Sequence, residues 1–401
     1  MPTPTPTPLV GNVQFTTTSY SVDEGALSTT ITVTRSGDTT SSISVGFVTN
    51  DAAGSQNCNV FNGNASSRCD YLTSIGAVQF AAGETSKSFS IAIVGDSYAE
   101  GNETFTVSLN NATGASIGAQ STATVAILDN DSATGANPAD VTNFFVRSHY
   151  LEFLNREPDQ GGLNFWTGEI DNCTPKPQCT ELKRINVSAA FYVSIEFQQT
   201  GYLVERIYKA AYGDGTGTST FGGTHQLSVP VVRLDEFLPD TQQIRRGVVV
   251  GQLGWAQQLE NNKQAFTAEF VSRLRFTVTF PTSMTPAQFV DKLNANAGSP
   301  LSQSERDQLV NSLTSGAMTR AQVLRAVAED QDLYNAEFNR AFVLMQYLGY
   351  LRRNPNDQQD TDYSGFDFWL TKLNQFNGNF VNAEMVKAFI TSTEYRSRFG
   401  P

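Results

Sequence analysis

The side chains best placed to do chemistry are carboxylates. Before position 141 the chain carries twelve acids against only three bases, Arg35, Arg68 and Lys87. Asp96, Glu100 and Glu103 crowd into GDSYAEGNETF (95–105), Asp129 and Asp131 close VAILDND (125–131), Glu24 stands in VDEG (22–25) and Asp70 follows Cys69. Calcium takes six to eight oxygen ligands, so a site for it needs several carboxylates converging from adaptable loops. Strand-end loops at one pole of a β-sandwich provide that convergence. The plainer alternative is that these acids solvate loop tips or cap turns. Either way, a domain so charged repels phosphate backbones, which argues against nucleic acid as a partner.

The inventory for catalysis is poor, and no enzymatic activity is expected. The two histidines, His149 and His225, have no accompanying nucleophile motif. Arg156 and Arg353 each precede a loop proline and could hold an anion or a glycan, although a salt bridge to a helix-end carboxylate explains them better. Trp166 and Trp369 each follow a phenylalanine and are expected to pack in a core. Asp357, Asp360 and Asp362 form an oxygen-dense loop, but without the Gly and terminal Glu of an EF-hand. The glycine-rich run 213–226, GDGTGTSTFGGTHQ, lacks the lysine of a phosphate loop and is expected to be a mobile surface loop.

Positioning the acids calls for strands. From residue 10 to 132 short period-two segments alternate with turn signals: VQFTTTSYSV, STTITVTRS, SISVGFVTN, AVQFAAG, SKSFSIAIV, ETFTVSLNN and STATVAILD. About seven antiparallel strands predict a two-sheet sandwich of immunoglobulin type. VDEG, CDY (69–71), VQFAAGETSKSFSIAI (78–93), GDSYAEGNETFTVSL (95–109) and VAILDND resemble, in order, the Calx-beta domain. That resemblance implies calcium as the cofactor, with Glu24, Asp70, Asp96, Glu100, Glu103, Asp129 and Asp131 as its ligands. Two positions depart from the pattern. Gly95 stands where calcium-sensing members have a further Asp, and Asn130 interrupts the terminal acids, which implies fewer ions or weaker binding.

The cysteines form two local pairs, Cys58 with Cys69 and Cys173 with Cys179, lacking CxxC spacing or histidine neighbours. They are expected as disulfides, the first stapling a flap over 51–68, rather than as four free thiols. Disulfides imply an oxidising compartment and an extracellular, cell-surface protein. No apolar run is long enough to span a bilayer. Met1 is followed directly by PTPTPTP rather than by an export signal, so a secreted protein would have lost its signal from this numbering. Residues 1–9 are expected as an extended arm, either a spacer or a strand reaching a neighbouring subunit.

After a linker at 133–140, residues 141–401 change to helical spacing and contain an internal repeat. FVRSHYLEFLNREPDQGGLNFW (145–166) aligns with FVLMQYLGYLRRNPNDQQDTDYSGFDFW (342–369), pairing Tyr150 with Tyr347, Arg156 with Arg353 and Trp166 with Trp369. A weaker copy starts at Phe270. The copies lie near 141–212, 265–335 and 336–400, and repeats that cannot bury their own faces stack into a bundle. REPDQGGLNFW is similar to the core of the bacterial family called domain of unknown function 4214. The whole chain therefore reads as multidomain: an all-β immunoglobulin-like sandwich followed by an all-α repeat bundle. The expected function is a secreted bacterial calcium-binding structural or adhesive surface protein, self-assembling through its arm into a filament or layer. The alternative is a module that binds surface glycans or processes extracellular matrix, with its site in the helical region.

Overall fold

The computed structural model describes residues 11–54, 56–133, 135–173 and 176–401; the arm at 1–9 lies outside them. Two compact units result. The first runs up to Asp140 and also takes in Arg396–Pro401, and the second is Val141–Tyr395.

The first unit is a sandwich of nine strands: β1 (Gly11–Phe15), β2 (Ser19–Asp23), β3 (Ser28–Ser36), β4 (Ile43–Asn50), β5 (Ile75–Phe80), β6 (Ser86–Ala92), β7 (Glu103–Thr113), β8 (Ala115–Ile117) and β9 (Thr122–Leu128). One sheet has the order β6-β3-β1-β8 and the other β2-β9-β7-β4-β5. Alternate residues point inward, and Val13, Phe15, Ile31, Val33, Val45, Ile91, Val107 and Val125 are fully buried between the sheets. The segment VQFTTTSYSV, expected as one strand, is two. β1 pairs with β3 while β2 pairs in parallel with β9, so the chain changes sheets at Thr16–Thr18. The change matters for the acids. The β2–β9 register sets Asp23 opposite Leu128, and the Glu24 amide donates to the Leu128 carbonyl, which brings Glu24 beside Asp129.

Cys58 and Cys69 are bonded and close the flap between β4 and β5. The Asp51 carboxylate accepts from the amides of Ala53, Gly54 and Ser67, and the Ala65 amide donates to the Thr104 carbonyl, tying the flap to β7. At its end Tyr71 stacks on Phe105, with ring centroids 3.9 Å apart.

The second unit comprises α1 (Thr142–Leu154), α2 (Gln160–Asp171), α3 (Pro177–Val193), α4 (Ile195–Gln198), α5 (Gly201–Tyr212), a hairpin of β10 (Gly215–Ser219) and β11 (His225–Val229), α6 (Leu234–Arg245), α7 (Trp255–Phe270), α8 (Leu274–Thr279), α9 (Pro286–Asn296), α10 (Gln303–Ser315), α11 (Arg320–Ala328), α12 (Gln331–Met345), a π-helical turn at Gln346–Leu351, α13 (Ser364–Gln375) and α14 (Met385–Ile390). Thr285 with Gln288, Ser302 with Glu305 and Thr319 with Gln322 form capping boxes that start α9, α10 and α11. Cys173 and Cys179 are bonded. The expectation of a mobile loop at 213–226 is corrected: its residues pair as a hairpin, with Gly217 opposite Leu227, and the Tyr363 amide donates to the Thr218 carbonyl. Threonine alternates with glycine in β10, and Gly222 and Gly223, both at positive φ, form the turn that joins it to β11.

The repeat has a structural cause. In the first copy the Arg156 guanidinium bonds both Glu196 oxygens, at 2.7 and 2.8 Å, and lies 5.0 Å over the Tyr150 ring. In the last copy Arg353 bonds Glu394 at 2.6 and 3.0 Å and lies 5.2 Å over Tyr347. Each tyrosine hydroxyl presses on a helical glycine: a Cβ on Gly162 would come 2.1 Å from the Tyr150 oxygen, and one on Gly365 2.5 Å from that of Tyr347. Both copies also end the preceding helix on a left-handed non-glycine residue, Asn155 or Arg352. The start of the weaker copy, residues 270–293, has helices on both sides of Pro281 but contains neither tyrosine nor glycine.

The knot predicts a large effect from one truncation. Arg353 is 3% exposed, so Arg353→Ala strands the Glu394 carboxylate and should cost about 3 kcal/mol or more of the helical unit's stability. Urea unfolding followed by helical circular dichroism measures it. A loss under about 1 kcal/mol, the range of an exposed pair, would reduce the knot to a surface contact.

Candidate cation centre

The seven acids meet at one pole of the sandwich. Glu24 follows β2, Asp70 ends the flap, Asp96 and Glu100 sit in the loop between β6 and β7, Glu103 opens β7, and Asp129 and Asp131 follow β9. Three groups of oxygens converge, each within 4.8 Å: Glu24 with Asp129 and Asp131, Glu24 with Asp96 and Glu100, and Asp70 with Glu100 and Glu103. Glu24 and Glu100 each belong to two groups, so the three are one continuous patch. Glu24, Asp70 and Glu103 are buried, at 3%, 6% and 4% exposure, and the others are half-buried.

Backbone amides orient part of this set. Glu24 Oε1 accepts from the Asp96 amide at 2.8 Å, Asp96 Oδ1 from the Tyr98 amide at 2.7 Å, and Asp70 Oδ2 from the Ser66 amide at 2.5 Å. Asp129 works mostly as a loop organiser, accepting from the amides of Glu100, Gly101 and Asp131. These bonds leave Glu24 Oε2 and Asp96 Oδ2 buried without a hydrogen-bond partner among the described residues. A buried carboxylate oxygen without a donor is costly unless a cation faces it.

The electrostatics agree. Burial, aided by the neighbouring acids, pushes Asp96 up to about 8 and Glu100 up to about 9. Burial also raises Glu24, Glu103 and Asp131, and burial with the Glu103 charge raises Asp70 well above the ordinary carboxylate range. An all-oxygen, strongly anionic set with unpartnered buried oxygens fits a hard divalent cation.

The two departures from the family pattern are structural. A Cβ on residue 95 would lie 3.0 Å from the Glu24 carbonyl oxygen, so a side chain there would be tight against the end of β2. Asn130 donates to Asp23 at 3.2 Å and lies over Gly25, bracing the turn that carries Glu24.

Other candidates are not drawn together. Asp357 pairs with Arg233 at 2.8 Å, Asp360 with Arg353 at 2.7 Å, and Asp362 accepts from the Ser364 amide at 2.9 Å. His149 is fully buried, with its ring nitrogens 2.7 Å from the Phe145 carbonyl and 2.7 Å from Ser188 Oγ, while His225 lies 3.2 Å from Asp367. Trp166 and Trp369 are half-buried rather than core residues, tilted against Phe191 and Phe389. A cavity of about 260 Å³ beside Trp369 is lined by Tyr347, Arg353, Asp360, Phe389 and Glu394. Its charged groups are bonded to one another. Sequence reasoning missed that residues 396–401 reach this same pole, since YRSRFGP carries no motif that announces it.

The family model of the Calx-beta domain matches residues 9–131, and that of a domain of unknown function, DUF4214, matches residues 126–200. No curated protein matches. Among solved structures, the chain is 28% identical to the apo form of the Calx CBD1 domain, covering 30% of this chain and 99% of that one, with a TM-score of 0.27. It is 29% identical to CBD12 from CALX1.2, covering 30% of this chain and 45% of that one at a TM-score of 0.27. It is also 29% identical to the calcium binding domain CBD12 of CALX1.1, covering 30% and 46% at a TM-score of 0.26. The chain thus spans less than half the length of these two CBD12 structures.

A pH dependence follows from the crowding. Raised carboxylates hold protons in the folded state that the unfolded chain has already released above about pH 4. Folding is therefore unpenalised at low pH, and stability is lost as pH rises from there through the folded values, about 8 for Asp96 and about 9 for Glu100. In chelator, the melting temperature of the β-unit should fall between about pH 5 and 9, and a hard divalent cation should flatten the fall by replacing the protons. A cation-free melting temperature that is constant or rises over this range would show that the carboxylates are not forced together.

Proposed function

We propose that the β-unit, whose residues 9–131 match the family model of the Calx-beta domain, binds calcium, and that the chain, matched from residue 126 by the domain of unknown function, is a non-enzymatic, secreted bacterial structural or adhesive surface protein. The observation that carries the calcium reading is the convergence of seven carboxylates with Glu24 Oε2 and Asp96 Oδ2 buried and unpartnered. Glu24, Asp96 and Glu100 would hold one ion and Asp70, Glu100 and Glu103 another, sharing Glu100; Glu24, Asp129 and Asp131 make the third group. Bound calcium supplies positive charge that cancels the repulsion between these loops. The chain's own part is to present oxygens from adaptable loops on a rigid sandwich, the arrangement this ion's variable coordination favours.

Secretion is supported by the two closed disulfides, and no helix among the described residues is long and apolar enough to cross a membrane. Assembly through the arm at residues 1–9 belongs to the same proposal: a sandwich has edge strands, here β5 and β6 among them, that another chain's extended segment can pair with. Sedimentation in calcium with and without residues 1–9 tests it, and unchanged association makes the arm a spacer. The glycan-binding alternative rests on the cavity beside Trp369 and is the weaker reading, because Asp360, Glu394 and Arg353 there are spent on each other.

Calorimetry of the full chain tests the calcium reading. At about a hundred times its dissociation constant calcium should stabilise the β-unit by about 2.7 kcal/mol, and chelator should remove the gain. Asp96→Asn and Glu100→Gln should each weaken binding about tenfold or more, while leaving calcium-free stability unchanged or higher, because each removes a repelling charge. A β-unit transition indifferent to both calcium and chelator overturns the reading.

A further inference from the structure

Residues 396–401 follow the helical unit in the chain yet belong to the β-unit, and their contacts fall on the residues between and beside the cation ligands. The Ser97 amide and hydroxyl both donate to the Phe399 carbonyl, at 3.0 and 3.1 Å. The Tyr98 hydroxyl donates to the Ser397 carbonyl at 3.2 Å. Ser97 and Tyr98 occupy the short span from Asp96 to Glu100. On the flap side, Arg398 Nε donates to the Arg68 carbonyl at 2.9 Å, two residues before Asp70. The segment is itself pinned from the linker: Asn137 Nδ2 donates to the carbonyls of Arg396 and Gly400, at 2.9 and 3.0 Å, and Arg396 pairs with Asp140 at 2.7 Å. Fit is close as well as polar. Phe399 and Arg398 are buried, at 1% and 4% exposure, and a Cβ on Gly400 would lie 2.2 Å from Ser97 Oγ and 3.3 Å from the Asn137 backbone.

We infer that residues 396–401 are a strap that positions the cation centre, and that seating of this strap and binding of calcium are coupled. The strap touches two ligand-bearing segments, the flap end at Arg68–Asp70 and the loop at Asp96–Glu100, the latter lying between β6 and β7 outside the sheets. Without an ion, nothing among the described residues ties the carboxylates of Asp96, Glu100 and Asp70 to one another, and the strap's hydrogen bonds help to hold these two segments in place. With an ion the same segments are drawn inward, which holds the carbonyl partners of Ser97 and Tyr98 in reach. Coupling of this kind is reciprocal: whatever calcium does for the strap, the strap does for calcium affinity. Asn137, Ser97, Tyr98 and Arg398 are positioning residues in this account.

The inference rests on the calcium reading, and two measurements on the full chain separate them. Hydrogen exchange of the wild-type protein in calcium and in chelator should show protection of both 95–101 and 396–401 that is lost together when calcium is removed. Calorimetric calcium titration of Asn137→Ala, which removes the Asn137 bonds to the strap and touches no carboxylate, should show affinity weakened about fivefold or more. Its disulfides and helical circular dichroism serve as the control for folding. If calcium protects 95–101 but leaves 396–401 unchanged, or if Asn137→Ala binds calcium as the wild type does, the strap is a passive end and the inference is overturned while the calcium reading stands. If no calcium binding is detected and neither segment responds, both fall together.

Discussion

The β-unit depends on a repulsion that its fold does not itself relieve. Seven carboxylates are brought to one pole by features that also build the sandwich: the parallel β2–β9 register, the first residue of β7 and the disulfide-closed flap. Glu24, Glu103 and Asp70 cannot be withdrawn without unpairing a strand or opening the flap, whereas Asp96 and Glu100 ride on the loop between β6 and β7. Close like charges raise each other's proton affinity and favour whatever neutralises them, protons at low pH or a hard cation above it. The strand-end loops are therefore the part of the unit whose order answers to solution conditions, while the buried core between the sheets does not.

Much of the sandwich was legible in the sequence because inward Val, Ile and Phe alternate with outward Thr and Ser, and that period states which face is buried. The exchange of sheets between β1 and β2 was not, since Thr16–Thr18 suits a continuing strand as well as a crossover. The hairpin at Gly215–Val229 was misread because glycine density suggests mobility, whereas its two strands pair with each other and the Tyr363 amide, far along the chain, adds a bond to Thr218. The helical repeat was legible, and its reason became visible only in three dimensions: Tyr, Gly, Arg and Glu recur because one hydroxyl presses on a glycine while a guanidinium holds a carboxylate over the same ring.

The site was legible to a different degree. Local crowding of acids is apparent in 95–105 and 125–131, but that Glu24 and Asp70 join them rested on family resemblance rather than on spacing. The structure supplies reasons of geometry, through the Glu24–Leu128 bond and the flap tie between Ala65 and Thr104. It also shows what stands at the two departures, Gly95 close against the Glu24 carbonyl and Asn130 bonded to Asp23. The contribution of residues 396–401 left no trace in the sequence, because a hydrogen bond to a backbone carbonyl can be accepted from any residue type.

The two units treat buried charge in opposite ways, and that difference points to where a ligand is needed. In the helical unit several deep carboxylates are bonded to bases: Glu196 to Arg156, Glu394 to Arg353, and Asp240 accepts from both terminal guanidinium nitrogens of Arg273, while Glu205 Oε2 is buried without a hydrogen-bond partner among the described residues. Even Glu205, raised by burial to about 8, has Arg340, Arg206 and Lys209 among the charges acting on it. At the sandwich pole the strongest influences on Glu24, Asp70, Asp96, Glu100 and Glu103 are burial, hydrogen bonds and one another's charge, with no lysine or arginine among them. Crowded carboxylates with no base among the strongest influences on them favour a positive charge from outside. A hard divalent cation suits Glu24 Oε2 and Asp96 Oδ2, which no donor among the described residues reaches.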